Sequence, residues 1–422
     1  MIGTTTGREP AREATATRGR VMLVLPRADH VRGYAPLAAA LPEVGLEPIV
    51  VSAAADGAPD TRVRRLTAEF YGSPGGAAAW LRLVLRRELA ARRLLRELAP
   101  DALVVPSDVS DALAAFVAAA RRRRVPVVYV QGVPVFADFP RLNAETHAAR
   151  ARHRRLAGAL VQSILGLVGI HVATAAKAVL GSRADRVLVM DDEQAQVHVR
   201  AGVPSERVTV TGAPFVDRLV ALRRRFDAET RRRTLAAVGV EAPVALILTK
   251  SLHRLGWTTR DMHDTLVRDM VDAVRAELPG WTCLVKLHPA ESVEEYGALT
   301  DRDDPPVHLV KEAEVEPLLL ASDVAISLGT SGAALSARVL GTRLVVVTHP
   351  SVPMLGAHGH LAADRATVRS AAELRSRLRE VRATPAPPAA DSAAVATDGR
   401  ASERIARALR EIVQTGRSGR SC

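Results

Sequence analysis

Short, unbroken apolar runs recur along this chain, and each gives way to a segment of helical period. VMLVLP (21–26), IVVSA (49–53), ALVVPS (102–107) and VVYVQG (127–132) come first, then RVLVM (186–190) and RVTVTG (207–212). These runs are short, rich in Val and Ile, and lack polar alternation, so they read as strands buried on both faces. Between them lie helical patterns such as WLRLVLRRELAARRLLRELAP (80–100) and DEQAQVHVRAGV (192–203). Strands alternating with helices require a parallel sheet, because a crossover must carry the chain back to the sheet's starting edge.

The rhythm restarts after an arginine-rich helical stretch, LVALRRRFDAETRRRTLAAVG (219–239). The second set of strands is VALILT (244–249), TCLVKLHP (282–289), VHLV (307–310), DVAISLG (323–329) and RLVVVTHP (343–350). No short internal repeat is present. The 422 residues are therefore expected to form an α/β protein of two doubly wound, Rossmann-like lobes, 20–217 and 218–382. A tail (1–19) precedes them, and a Pro/Ala linker (383–399), a detached helix (400–415) and a tail (416–422) follow. Two such lobes facing a cleft make a GT-B-like architecture. Ligands of doubly wound sheets sit beyond the carboxyl ends of the strands, so site residues should follow strands directly.

Composition limits the partners. The formal net charge is +12, yet only four of the 58 basic residues are lysine and aromatics make up 3%. A nucleic-acid reader interleaves a basic face with stacking aromatics. No such interleaving is present, so nucleic acid is not an expected partner. Cys283 and Cys422 have neither metal-site spacing nor a disulfide framework, which suits a reducing cytoplasm and predicts no metal site. The first twenty residues contain no apolar core of the kind a secretory signal needs.

The residues that follow the second lobe's strands share one chemistry. Lys250, Ser251, His253 and Arg254 follow the first strand, and Lys286, His288 and Pro289 the second. Residues 327–332 (SLGTSG) end the fourth strand and open a helix, and Thr348 and His349 follow the fifth. Cations, hydroxyls and imidazoles dominate, and carboxylates are absent from the immediate strand ends. The first N–H groups of a helix are unpaired and lie at the positive end of its dipole. Small residues there let a phosphate approach the backbone. Thr330, Ser331 and Gly332 are thus candidate diphosphate ligands, with Arg254, Lys286 and a protonated His288 supplying charge. A plain N-cap is the alternative reading of SLGTSG. No GxxxxGK[ST] or GxGxxG motif is present, which excludes a simple ATPase or dehydrogenase.

These motifs resemble the superfamily that joins non-hydrolysing UDP-N-acetylglucosamine 2-epimerases to bacterial capsule and teichoic-acid-type glycosyltransferases of GT-B fold. LILTKSLHRLG looks like the epimerase strand ending in Thr-x-His-Arg, and VKLHPAESVEEY like the shared His-Pro motif. SLGTSGAALSARVLG looks like the Ser-rich helix start, and RVTVTGAPFVDRL like the Val-x-Gly-x-Pro-x-x-Asp segment between lobes. The resemblance covers about residues 20–350 and rests on the order and spacing of motifs that are weak singly. It implies a nucleotide-sugar donor, with UDP first in mind, and no cofactor.

The first lobe separates the two branches. In VVPSDVSDALAAF, Asp108 falls on a family catalytic aspartate. Gln131, in YVQG, stands where epimerases carry a catalytic glutamate, and Arg141 and Leu142 stand near where further glutamates belong. THPSVPM replaces the Thr-Glu-Arg-Pro-Glu stretch. Epimerisation removes and returns a proton at one carbon and needs several titratable groups, and an amide at 131 cannot titrate. A glycosyltransferase is therefore expected, with a divergent epimerase as alternative and a non-catalytic nucleotide-sugar binder as third reading.

In that scheme Asp108 and His253 are candidate catalytic residues, and Asp29 and His30, after the first strand, are rivals. A helix cap is the bland reading of Asp108, and a solvated loop that of Asp29 and His30. Gln131 is a candidate substrate contact. Glu312 and Glu291 are candidate ribose or base partners. Gly33 permits close packing or ligand approach. The acceptor is unknown. Residues 156–176 carry no formal charge and follow RARHRR. A buried helix is the preferred reading, and an interfacial helix the second. The latter would place a cytoplasmic protein peripherally on the anionic inner face of the plasma membrane, beside a lipid-linked acceptor.

Overall fold

In the first half of the chain, the central strands are built so that alternate residues face two different apolar layers. Met22 and Val24 of β1 (Gly19–Val24) join one buried cluster with Phe116 and Tyr129, whereas Val21 and Leu23 join another with Tyr34 and Leu37. Burial on both faces explains the unbroken apolar runs. The computed structural model describes residues 19–53, 62–66, 77–108, 111–132, 180–300, 307–352, 355, 366–384 and 397–418.

The first sheet adds β2 (Leu46–Ser52), β3 (Arg62–Arg65), β4 (Ala102–Val105), β5 (Val127–Val130), β6 (Arg186–Val189) and β7 (Val208–Val210). Its order is β3-β2-β1-β4-β5-β6-β7 and all its pairs are parallel. The second sheet holds β8 (Val244–Leu248), β9 (Thr282–Lys286), β10 (Val307–Val310), β11 (Val324–Leu328), β12 (Leu344–Val347) and β13 (Thr367–Val368). Its order is β10-β9-β8-β11-β12-β13, again parallel. The expected doubly wound α/β lobes are present. Each sheet reverses its strand order once, between β1 and β4 in the first and between β8 and β11 in the second.

Four features depart from the sequence reading. β3 (RVRR) and the two-residue β13 lie at sheet edges, where pairing along one side needs no apolar run. The arginine-rich stretch is not one helix but two, Pro214–Arg225 and Ala228–Ala236. Asp227 breaks it, accepting the Thr230 N–H at 2.7 Å as a new N-cap. The expected lobe boundary at 217/218 therefore falls inside the first of these helices. The final helix, Ala401–Ser418, is not detached: Ile405, Ala406, Leu409 and Val413 pack into the first lobe's core beside Val21 and Leu23. The tail at 1–18, the 156–176 stretch, Arg141 and Leu142 lie outside the described residues. Among the described residues no helix is long and apolar enough to cross a membrane.

Candidate functional site

The two central strands of the second lobe, β8 and β11, deliver their carboxyl ends side by side at the point where the strand order reverses. Connections leave in opposite directions from there, which opens a crevice. After β8 come Thr249, Lys250 and Ser251. After β11 the chain turns through Gly329 and Thr330 into the helix Gly332–Leu340, with Ser331 as its N-cap. The Ser331 hydroxyl accepts the Ala334 N–H at 3.1 Å. Gly329 has φ +72°, and a Cβ on it would lie 2.4 Å from Leu355 Cδ2. Only glycine makes this turn without strain. In front of the helix the space is open: a Cβ on Gly332 would meet nothing within 4 Å.

Lys250 ties the two strand ends together. Its Nζ donates to the Thr330 carbonyl at 2.9 Å and lies 4.6 Å from the centre of the Trp257 ring. Burial pushes this ammonium down to about 8. The Thr330 hydroxyl is buried and has no hydrogen-bond partner among the described residues. Sequence reasoning noticed Lys250 but did not place it in the site. The available signal was its rarity, as one of four lysines in an arginine-rich chain.

On the neighbouring strand, His288 is held by a buried carboxylate. Glu291 accepts the His288 N–H at 3.0 Å and the Thr249 hydroxyl, while Thr249 Oγ1 accepts the same N–H at 2.9 Å. The ring's Nδ1 accepts the Ala290 N–H at 3.2 Å, so the neutral imidazole carries its proton on Nε2. Burial, with Lys250, Arg27 and Lys286 nearby, outweighs Glu291 and holds His288 below the usual histidine range. His288 is thus a neutral N–H donor at neutral pH, not the imidazolium expected. Arg27 belongs to the first lobe, so the two lobes meet electrostatically at this point. Arg32 and Glu314 span them at 3.6 Å.

Other expected ligands are occupied. Lys286 donates to the carbonyls of Leu287 at 3.0 Å and Lys311 at 2.6 Å, toward β10 and away from β8 and β11. Exposed Glu312 is its charged neighbour there. Arg254 is held by Glu295 at 2.6 Å, and Arg260 reaches the same carboxylate at 2.8 Å. His253 lies 3.4 Å from Glu295 and stacks obliquely on buried His263, 4.9 Å between ring centres. His263 in turn meets Tyr296 at 2.8 Å and Glu291 at 3.4 Å. Glu291 is 1% exposed and faces this inner network, which removes it as a ribose or base partner.

In the first lobe, Asp108 is fully buried, and its two oxygens accept the N–H groups of Gly181 at 2.8 Å and Arg183 at 2.7 Å. Burial raises its pKa against those bonds. It pins the turn ahead of β6. Gln131 is also fully buried, accepting the Met190 N–H at 3.0 Å and donating to Gln194. Asp29 and His30 open the first-lobe helix Ala28–Ala40, beside that lobe's own strand-order reversal. Burial would raise Asp29, but bonds from Arg27 at 2.9 and 2.8 Å bring it below the carboxylate range. Burial holds His30 below the usual histidine range, and its Nδ1 has no partner among the described residues. A Cβ on Gly33 would sit 3.5 Å from Phe215, an ordinary packing distance. A separate cavity of about 510 Å³ lies at the opposite, amino-terminal strand ends, where Arg121, Arg124 and Arg186 are mixed with Asp185 and Glu411.

No protein-family model and no curated protein sequence matches the chain. Solved structures do match in fold. The UDP-GlcNAc 2-epimerase of Methanocaldococcus jannaschii superposes with a TM-score of 0.61 at 12% identity, over 93% of this chain and 99% of that one. The UDP-GlcNAc 2-epimerase of Neisseria meningitidis, solved with UDP-GlcNAc bound, gives 0.60 at 15%, over 93% and 100%. The glycotransferase of kitacinnamycin gives 0.54 at 17%, over 95% and 96%. The chain therefore has the two-lobed GT-B-like fold that epimerases and glycosyltransferases share, as its motifs implied.

Proposed function

We propose that this chain is a metal-independent glycosyltransferase that uses a nucleotide-sugar donor, acting in surface polysaccharide or glycoconjugate biosynthesis in the cytoplasm. The observation that carries the reading is the second-lobe crevice, where Lys250, His288 and the N-terminus of Gly332–Leu340 converge. Such donors stabilise a departing diphosphate in place of a metal ion. The acceptor, lipid-linked or soluble, would enter from the first lobe. Its hydroxyl oxygen attacks the anomeric carbon, the sugar–phosphate bond breaks, and the hydroxyl proton passes to His30.

Two first-lobe residues favour transfer over epimerisation. Gln131 has no titratable proton, and Asp108 has both oxygens committed to backbone N–H groups. The fold neighbours include both activities, so the reactions must be separated experimentally. A thermal-shift screen of UDP-, CDP-, GDP- and CMP-sugars would identify the donor. NMR would then follow that donor with and without an acceptor panel. Donor that stays intact until an acceptor is added supports transfer. An inverted C2 centre in donor alone establishes the epimerase, and binding without turnover on any acceptor establishes a binding protein.

A further inference from the structure

We propose that Lys250 is the cation that takes the ligand's diphosphate, parked between the Thr330 carbonyl and the Trp257 ring until the ligand arrives. The inference rests on the nucleotide-sugar reading and assigns it a residue that the motifs did not supply. Lys250 lies two residues past β8, the strand flanked by β9 with its His288 loop and by β11 with the turn into Gly332–Leu340. It thus stands between the two other groups of donors.

The partners of Lys250 are neutral. Its Nζ meets one carbonyl at 2.9 Å and one ring face at 4.6 Å, and among the described residues no carboxylate pairs with it. An ammonium withdrawn from water without a counter-ion is costly, and one carbonyl and a ring recover only part of that cost. The surrounding charges do not compensate. From the β9 loop come His288, neutral, and Glu291, which is turned inward onto Thr249 and the His288 N–H. From the β11 turn come uncharged Ser327, Thr330 and Ser331. From the first lobe comes Arg27, already bonded to Asp29. Arg254 is paired with Glu295, Arg260 with Glu295 and Asp264, and Lys286 is bound to two carbonyls. A diphosphate bound in the crevice would give Lys250 the counter-charge that these neighbours do not.

A protonation linkage follows. Burial alone lowers Lys250 to about 8. At that pH about half of the free protein carries the proton, and a bound diphosphate, by favouring the charged form, completes it. Ligand binding should therefore take up protons near pH 8. Affinity should be highest below that pH and fall as pH rises through it. UDP itself is fully ionised there, so the uptake reports the protein.

The test is calorimetry of UDP binding near pH 8, in two buffers of different ionisation enthalpy, on folded wild type, K250R and K250M. Wild type should take up about half a proton per site. K250R should bind within about threefold of wild type without uptake, because guanidinium does not titrate there. K250M should bind about tenfold or more weakly, also without uptake. If K250M does not fold, the absence of uptake in K250R carries the test. Binding of UDP by K250M at wild-type strength, or uptake that persists in K250R, overturns the role of Lys250 alone. If wild type binds none of UDP, CDP, GDP and CMP, the nucleotide-sugar reading falls first and this inference with it.

Discussion

The carboxylate of Asp217 accepts the backbone N–H of Ser402 at 2.6 Å, and its second oxygen accepts that of Ala401 at 3.0 Å. One buried side chain on the helix between the lobes thus caps the final helix, 185 residues later in sequence. The cap aims that helix back onto the first lobe, where Arg417 closes it against Asp101 at 2.7 Å. Gly212 belongs to the same joint: a Cβ there would lie 2.6 Å from the Ala401 Cβ. Removing the cap leaves two helix-start N–H groups unpaired. D217A should therefore cost about 1–3 kcal/mol in urea unfolding. It should also expose the final helix to limited proteolysis before the rest of the chain. An unchanged urea midpoint and an unchanged cleavage pattern would show that apolar packing alone holds the helix.

Glu295 makes stability depend on acid. Burial works to raise its pKa, but bonds from Arg254 and the Ser292 N–H, with the charges of Arg254 and Arg260, bring it from 4.5 down to about 2. A carboxylate depressed in the folded state stabilises fully above its unfolded pKa, and that stabilisation is lost as pH falls through the folded value. The Glu295 contribution should be complete above about 4.5 and gone below about 2. E295Q should flatten the decline in unfolding midpoint across that window. A decline as steep in E295Q as in wild type would assign it to other carboxylates.

The lobes were legible because a strand buried on both faces leaves an unbroken apolar run, and β8 and β11 are such strands. β3 was not, since an edge strand of sequence RVRR needs only backbone partners. The break at Asp227 was written as a cap residue, but the arginines on either side masked it with helical propensity. At the candidate site, residue types after strands pointed to the crevice between the ends of β8 and β11. They did not say which cations were already paired: Arg254 and Lys286 read like Lys250 until Glu295 and the Leu287 and Lys311 carbonyls are seen. Asp108 read as catalytic by motif, yet its function in the fold depends on Gly181 and Arg183, more than seventy residues away.

Gly329 tests the turn that presents the helix start. G329A meets two penalties, a left-handed backbone at φ +72° and a Cβ only 2.4 Å from Leu355 Cδ2. The backbone term alone is about 1–2 kcal/mol. The variant should lose at least that much stability by chemical denaturation. It should also weaken UDP binding, because the displaced turn carries Thr330 and the helix start. Unchanged UDP affinity in folded G329A would mean that the turn tolerates displacement and does not position the helix start.

His30 and Asp108 compete for the role of general base, and the structure separates them by what each carboxylate or ring is free to do. His30 is part-exposed after β1 and is held neutral by burial, so its ring can accept the acceptor's proton at neutral pH. Its acid limb should lie below 6.5, because burial lowers it from that value. H30Q should reduce kcat by about 100-fold or more, abolish that limb of the pH profile and leave UDP affinity unchanged. D108N should behave differently. Its amide can satisfy only one of the Gly181 and Arg183 N–H groups, so it should lower the melting temperature while the acid limb persists in the activity that remains. If the limb survives in H30Q and disappears in D108N, the base is Asp108, and the turn at 181–183 must open during turnover.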